Sequence, residues 1–178
     1  SKRSSHSNAY FYGFFKSKRI VLFDTLLAKD DGTGCNNDEI LAVLSHELGH
    51  WHYNHITKNF LALQVNLLLL FAGFSYLFKY TVLYNALGFY NGRPVLVGLY
   101  IVLQYVMLPY NAFLSFILTC LSRRFEFQAD SFAVELGKGD HLVSSLVQLN
   151  KDNLGFPIYD YLYSSWHHSH PPLLERID

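Results

Sequence analysis

Two stretches of this chain are apolar on every side. Residues 59–78 and 94–122 carry no charged side chain. Each is long enough to cross roughly 30 Å of hydrocarbon as a helix rising about 1.5 Å per residue. A helix that is apolar all round needs either lipid or a large surrounding core. A chain of 178 residues cannot supply such a core around both, which makes a buried soluble hairpin the weaker alternative. The pattern therefore predicts two transmembrane helices, residues 59–83 and 94–120. Gln64 and Asn66 are expected to face protein or a wet cavity, Tyr80 and Tyr84 to sit at an interface, and Pro109 with Asn111 to kink the second helix.

The flanking sequence is patterned differently. Residues 8–15 and 20–27 are rich in aromatic and β-branched side chains around the charged turn 16–19, which predicts a hairpin. Such a hairpin either packs on the next helix or offers an edge strand to an extended peptide, and the pattern does not choose. After the turn-forming loop at 28–37, Asn37 or Asp38 can cap a helix with Glu39 in its first turn. Ile40, Leu41, Val43, Leu44 and Leu48 give that helix its apolar stripe, and it is expected to run to His55 and merge with the first apolar segment. Beyond residue 122 a helix continues through Arg123–Asp130 to Gly137, another covers residues 141–153, and Gly155-Phe156-Pro157 breaks it. Residues 166–172 read as a stiff loop, and a further helix starts at 173–177.

Composition agrees with the two apolar spans. Charged residues make up 16% and hydrophobic ones 51%, against about 25% charged in a soluble domain. Net charge is zero, so no long-range field favours nucleic acid. The basic residues Lys2, Arg3, Lys16, Lys18 and Arg19 read as a solvated surface. Cys35 and Cys120 lie in a loop and an apolar run and are not expected to pair. Residues 1–10 have no apolar signal core, and the chain is expected to be a fragment of a longer membrane protein.

The chemistry lies at His46-Glu47-Leu48-Gly49-His50. Positions i and i+4 share a helix face, so His46 and His50 can present two nitrogens to one metal ion. Glu47, one residue round, can serve as the base for a water molecule there. His52 and His55 point off that face of a continuous helix and are assigned to the surface. A catalytic zinc needs a third protein ligand. Glu126 is the best candidate, with Asp130 four residues on and able to accept a proton from a ligand histidine; an ion pair of Glu126 with Arg123 or Arg124 is nearly as good a reading. His170 precedes Pro171-Pro172 in a stiffened backbone, which suits donation to an oxyanion or a structural turn.

Several stretches in order now carry a resemblance. They are Asn8-Ala9-Tyr10, His46 to Trp51, Leu121 to Asp130, Leu149 to Pro157, and Trp166 to Arg176. Together they resemble the type I membrane-embedded CaaX prenyl proteases, the zinc enzymes of a-factor maturation and prelamin A processing. The resemblance implies a mainly α, gluzincin-type zinc metalloendopeptidase with a small β-hairpin at its active site. It implies one zinc ion per chain on His46, His50 and Glu126, with Asp130 behind them, Glu47 and His170 catalytic, and Asn8, Ala9 and Arg176 contacting substrate. It further implies removal of the C-terminal tripeptide of prenylated CaaX proteins, with a second cut upstream in prelamin-like substrates. The expected setting is a monomeric, seven-helix protein around a water-filled chamber in the endoplasmic reticulum and inner nuclear membranes. Residues 1–178 would form its single peptidase region: hairpin and zinc helix (1–58), two membrane helices (59–83, 94–120) and the third-ligand and C-terminal segment (121–178). About five N-terminal helices would be missing, and the 28–38 loop looks shorter than in vertebrate members.

Other readings remain. A heat-shock or quality-control membrane zinc protease shares the zinc helix but not the match at 121–130 and 149–157. A non-catalytic scaffold with a structural zinc has no use for Glu47. A metal transporter needs ligands within its spans, and residues 60–78 and 95–120 contain no histidine, aspartate or glutamate.

Overall fold

The computed structural model describes residues 9–14, 17–27 and 32–177. They form a mainly helical chain with one two-stranded antiparallel sheet. The chain divides into two compact units, Ser1–His55 with Leu118–Asp178, and Ile56–Ile117.

In the first unit, β1 (Ala9–Phe14) pairs with β2 (Ser17–Leu22), from Ala9 opposite Leu22 to Phe14 opposite Ser17. The second strand thus starts and ends earlier than its apolar run suggests. Past Phe23, residues Asp24–Leu26 wind into a 3-10 turn, which drops Leu26 into a core with Ala9, Cys35 and Val43. The amide of Cys35 closes the loop by donating to the Leu26 carbonyl (2.8 Å). Both cysteines are free.

α1 (Asn37–His52) is capped one residue earlier than expected, by Asn36. The Asn36 side chain accepts from the Glu39 amide (3.0 Å) and the Glu39 carboxylate accepts from the Asn36 amide (2.8 Å). This reciprocal box satisfies two otherwise orphaned donors. α1 stops at His52 instead of merging with the apolar helix. Asn54 adopts a left-handed backbone (φ 54°), a conformation asparagine tolerates better than most residues, and α2 (His55–Leu77) starts afresh.

α5 (Leu108–Glu135) brings the third-ligand region to α1. The two approach at Gly49, where an added Cβ would stand 2.9 Å from the Ala129 Cα. Ala42 of α1 and Ala133 of α5 share a second core with Leu142 of α6 (Gly139–Asp152). α5 ends in a Schellman turn: Gly137 is left-handed (φ 71°), and the amides of Gly137 and Lys138 donate to Val134 and Ala133. α7 (Tyr161–His167), unforeseen in the sequence, is capped by Asp160 and takes up Trp166 and His167. Residues 168–172 form the connecting loop, and α8 (Leu173–Ile177) follows. Buried Arg123 donates to Ser164 Oγ (2.9 Å) and pairs with Glu175, tying α7 and α8 to α5.

The second unit holds most of α2, α3 (Thr81–Asn85), α4 (Val95–Ile101) and the start of α5. α2 is long and apolar enough to cross a membrane. The second apolar stretch is not one helix: α4 runs into a π turn at Val102–Val106, and the pair bends by 58° before α5. The amide of Met107 reaches back to the Val102 carbonyl (2.8 Å), so the bend begins ahead of Pro109. Asn66 accepts a hydrogen bond from the Tyr110 hydroxyl (3.1 Å), whereas Gln64 is exposed. Tyr84 is buried rather than interfacial and packs over Gly98, where a Cβ would overlap its hydroxyl.

Candidate metal centre

The helical period of α1 stacks His46 and His50, and their Nε2 atoms lie 3.1 Å apart. Glu126 of α5 faces both. Its Oε2 is 3.5 Å from His46 Nε2 and its Oε1 is 3.5 Å from His50 Nε2. Ligand atoms about 2.0–2.2 Å from a tetrahedral zinc stand about 3.3–3.6 Å from one another. The three side chains therefore fit a shared ion by separation and by donor type, two imidazoles and one carboxylate. Among the described residues, no ion pair of Glu126 with Arg123 or Arg124 is found, and Arg123 is engaged with Ser164 and Glu175.

Outer partners orient these groups. His46 Nδ1 lies 2.8 Å from Asp130 Oδ1, which fixes the proton on Nδ1 and leaves Nε2 bare. Arg176 holds Asp130 with two donors, Nε to Oδ2 (2.9 Å) and Nη2 to Oδ1 (2.6 Å), and its Nη1 is 3.7 Å from Glu126 Oε2. His170 Nδ1 is 3.0 Å from Glu126 Oε1, and its side chain is largely exposed, unlike the buried carboxylate. A cavity of about 480 Å³ opens beside them, with Leu146, Leu149, Phe156, Pro172, His170 and Arg176 in its wall.

Enclosure sets the protonation states. Burial, reinforced by the Glu126 charge and opposed by His46, pushes Glu47 up to about 7, the range in which a carboxylate exchanges protons readily at neutral pH. Burial and the neighbouring His46 bring His50 down to about 4, favouring the neutral imidazole that a ligand must be. Burial would raise Glu126 and Asp130, but hydrogen bonds to His170 for the first, and to His46 and Arg176 for the second, hold each at about 2. Both residues lie beyond the apolar part of α5.

Thus His46, Glu47, His50, Glu126, Asp130, His170 and Arg176 converge in space. Ala9 does not join them through its side chain, which is buried in the first core, and Asn8 lies outside the described residues. His55, expected at the surface, is buried. The turn at Asn54 brings its Nδ1 to 2.8 Å from His50 Nδ1. The only forewarning in the sequence was an asparagine at a helix junction.

Comparison with known proteins agrees with this geometry. Residues 1–178 match Peptidase family M48 over their whole length. The chain is 53% identical to the CAAX prenyl protease 1 homolog of Mus musculus over 209 residues, covering 99% of this chain and 44% of that one. It is 51% identical to the Arabidopsis thaliana homolog over 178 residues, covering 99% and 40%. The crystal structure of S. mikatae Ste24p superposes with a TM-score of 0.82 at 39% identity, covering 99% and 42%. The chain thus spans less than half the length of these relatives.

Proposed function

The chain belongs to peptidase family M48, and from that membership we propose that it is the catalytic part of a membrane-embedded zinc metalloendopeptidase acting on prenylated CaaX proteins. The observation that carries this reading is the His46, His50, Glu126 triangle with Glu47 beside it, in a chain about half identical to CAAX prenyl protease 1 homologs. A family of metalloproteases implies a metal, and the donor set favours one zinc ion per chain. Zinc bound there would polarise the scissile carbonyl and acidify water.

The residues have separate tasks. Glu47 accepts a proton from the attacking water and returns it to the leaving amine. His170, on the exposed side of Glu126, supports the developing oxyanion. Asp130 and Arg176 hold His46 in its ligand tautomer. The β1 edge at Ala9 aligns the substrate backbone, with Asn8 as a further substrate contact, Arg176 lies against the bound tail, and the product is the C-terminal tripeptide, with a second cut in prelamin-like substrates. α2, and the bent pair of α4 and α5 if it is one span, are long and apolar enough to cross a membrane, which supports the reading of a membrane protein; the proposed setting is a monomeric seven-helix protein of the endoplasmic reticulum and inner nuclear membranes.

The test compares farnesylated and unfarnesylated CaaX peptides on the full-length protein, with and without a zinc chelator. Preferential, chelator-sensitive cleavage of the farnesylated peptide is expected. Equal rates on the two peptides would remove the prenyl reading, and cleavage that survives chelation would remove the metalloprotease.

A further inference from the structure

We infer that His55 and Gln128 form a neutral relay that positions His50 as a metal ligand, a counterpart to the charged support of Asp130 and Arg176 behind His46. The inference rests on reading His46, His50 and Glu126 as the ligands. His50 Nδ1 lies 2.8 Å from His55 Nδ1, and His55 Nε2 lies 3.1 Å from Gln128 Oε1. The protons along this chain can be arranged in one direction. The Gln128 amide oxygen can only accept, so His55 carries its proton on Nε2. A neutral His55 then has a bare Nδ1, which must accept from His50 Nδ1–H. That leaves His50 Nε2 without a proton, and Nε2 is the atom facing His46 and Glu126.

The fold fixes His55 for this task. It is 2% exposed. Its ring stacks on Phe125 at 4.1 Å and 12° and on Tyr53 at 5.8 Å and 19°. The left-handed Asn54 lets the chain leave α1 and present His55 to the same histidine it has just passed. Phe125 and Gln128 are three residues apart on α5, within the same turn as Glu126. One helix thus supplies the ligand, the stacking surface and the end of the relay.

The two supports differ in charge. A carboxylate partner puts a negative charge behind its ligand histidine, and Asp130 stands in that position behind His46. The imidazole and amide behind His50 orient it without adding negative charge. The site therefore keeps more of the ion's positive charge for the substrate carbonyl than two carboxylate partners would leave.

The experiment measures zinc affinity, by competition with a chelating dye, in the full-length protein purified in detergent. His55→Phe keeps the ring stack but removes the acceptor, and is expected to weaken zinc binding about 10- to 100-fold, with the metal-free protein still unfolding cooperatively. His55→Gln restores an acceptor and should recover most of the loss. Gln128→Leu should weaken binding less than His55→Phe, and Gln128→Glu, which puts a carboxylate at the end of the relay, should bind zinc at least as tightly as the parent. The visible spectrum of the cobalt-substituted protein should change in His55→Phe and return in His55→Gln. Parent-like zinc affinity in His55→Phe overturns the relay. Failure of His55→Gln to recover affinity, with its fold intact, also overturns it. Glu126→Ala separates the two claims: if it retains zinc, the ligand assignment is at fault; if it loses zinc while His55→Phe does not, only the relay falls.

Discussion

In the proposed reading, a single carboxylate separates metal binding from catalysis. Glu47 is adjacent to a ligand in sequence but is not one of the three groups that fit an ion. Glu47→Gln is therefore expected to retain zinc by elemental analysis while kcat falls by about 10²–10⁴. Loss of metal in that variant would contradict the assignment. The meeting of His46 and His50 was readable in the sequence, because helical periodicity alone places them on one face. The role of His55 was not. On an unbroken helix it points away from His50, and only the backbone at Asn54 reverses that. Glu126 was ambiguous for a similar reason. Two arginines stand close in sequence, and only the tertiary contacts with Ser164 and Glu175 take Arg123 elsewhere.

At the scale of elements, the spacing of α1 and α5 decides whether three ligands meet. Gly49 sits inside the zinc motif at a position where the motif itself accepts any residue. Here the approach of the Ala129 backbone requires glycine. Gly49→Ala should cost about 1–3 kcal/mol through overpacking and weaken zinc binding as well, since α5 cannot shift without carrying Glu126. Denaturant unfolding and dye competition check the two effects, and unchanged zinc affinity would show that the helices yield elsewhere. The α1 start is a second lever. Asn36→Ala removes half of the capping box and should cost about 1 kcal/mol with the site intact. The sequence marked a cap within a residue or two. It did not reveal the π turn before Pro109 or the short α7, because a bend in an apolar run and about two helical turns leave little periodic signal.

For the whole molecule, acid should unfold the metal-free protein through two carboxylates. Glu126 and Asp130 are held at about 2, below their ordinary 4.5 and 3.8. A depressed carboxylate contributes stability above its unfolded pKa and loses it as pH falls toward its folded one. Stability should therefore decline from about pH 4.5 to 2. Between about 4.5 and 6.5 two other groups oppose one another. Glu47, raised to about 7, loses stabilising effect as pH climbs, and His50, lowered to about 4, gains it. The urea midpoint of chelated protein in detergent should be nearly flat there and drop below pH 4.5. A midpoint that falls steeply between pH 6.5 and 4.5 would contradict this balance.

The ligands lie on opposite sides of residues 56–117 in the sequence. A ribosome adding roughly 5–20 residues per second releases His46 and His50 seconds before Glu126 exists. During that interval the chain offers only a pair of imidazoles, a weak and unselective chelate. Zinc uptake can become tight only after the apolar insert has been synthesised and α5 has returned to α1. Metal loading would then record that residues 56–117 have been made and that α5 has returned to α1, and a chain truncated after residue 117 should hold zinc far more weakly than one that extends beyond Gly137.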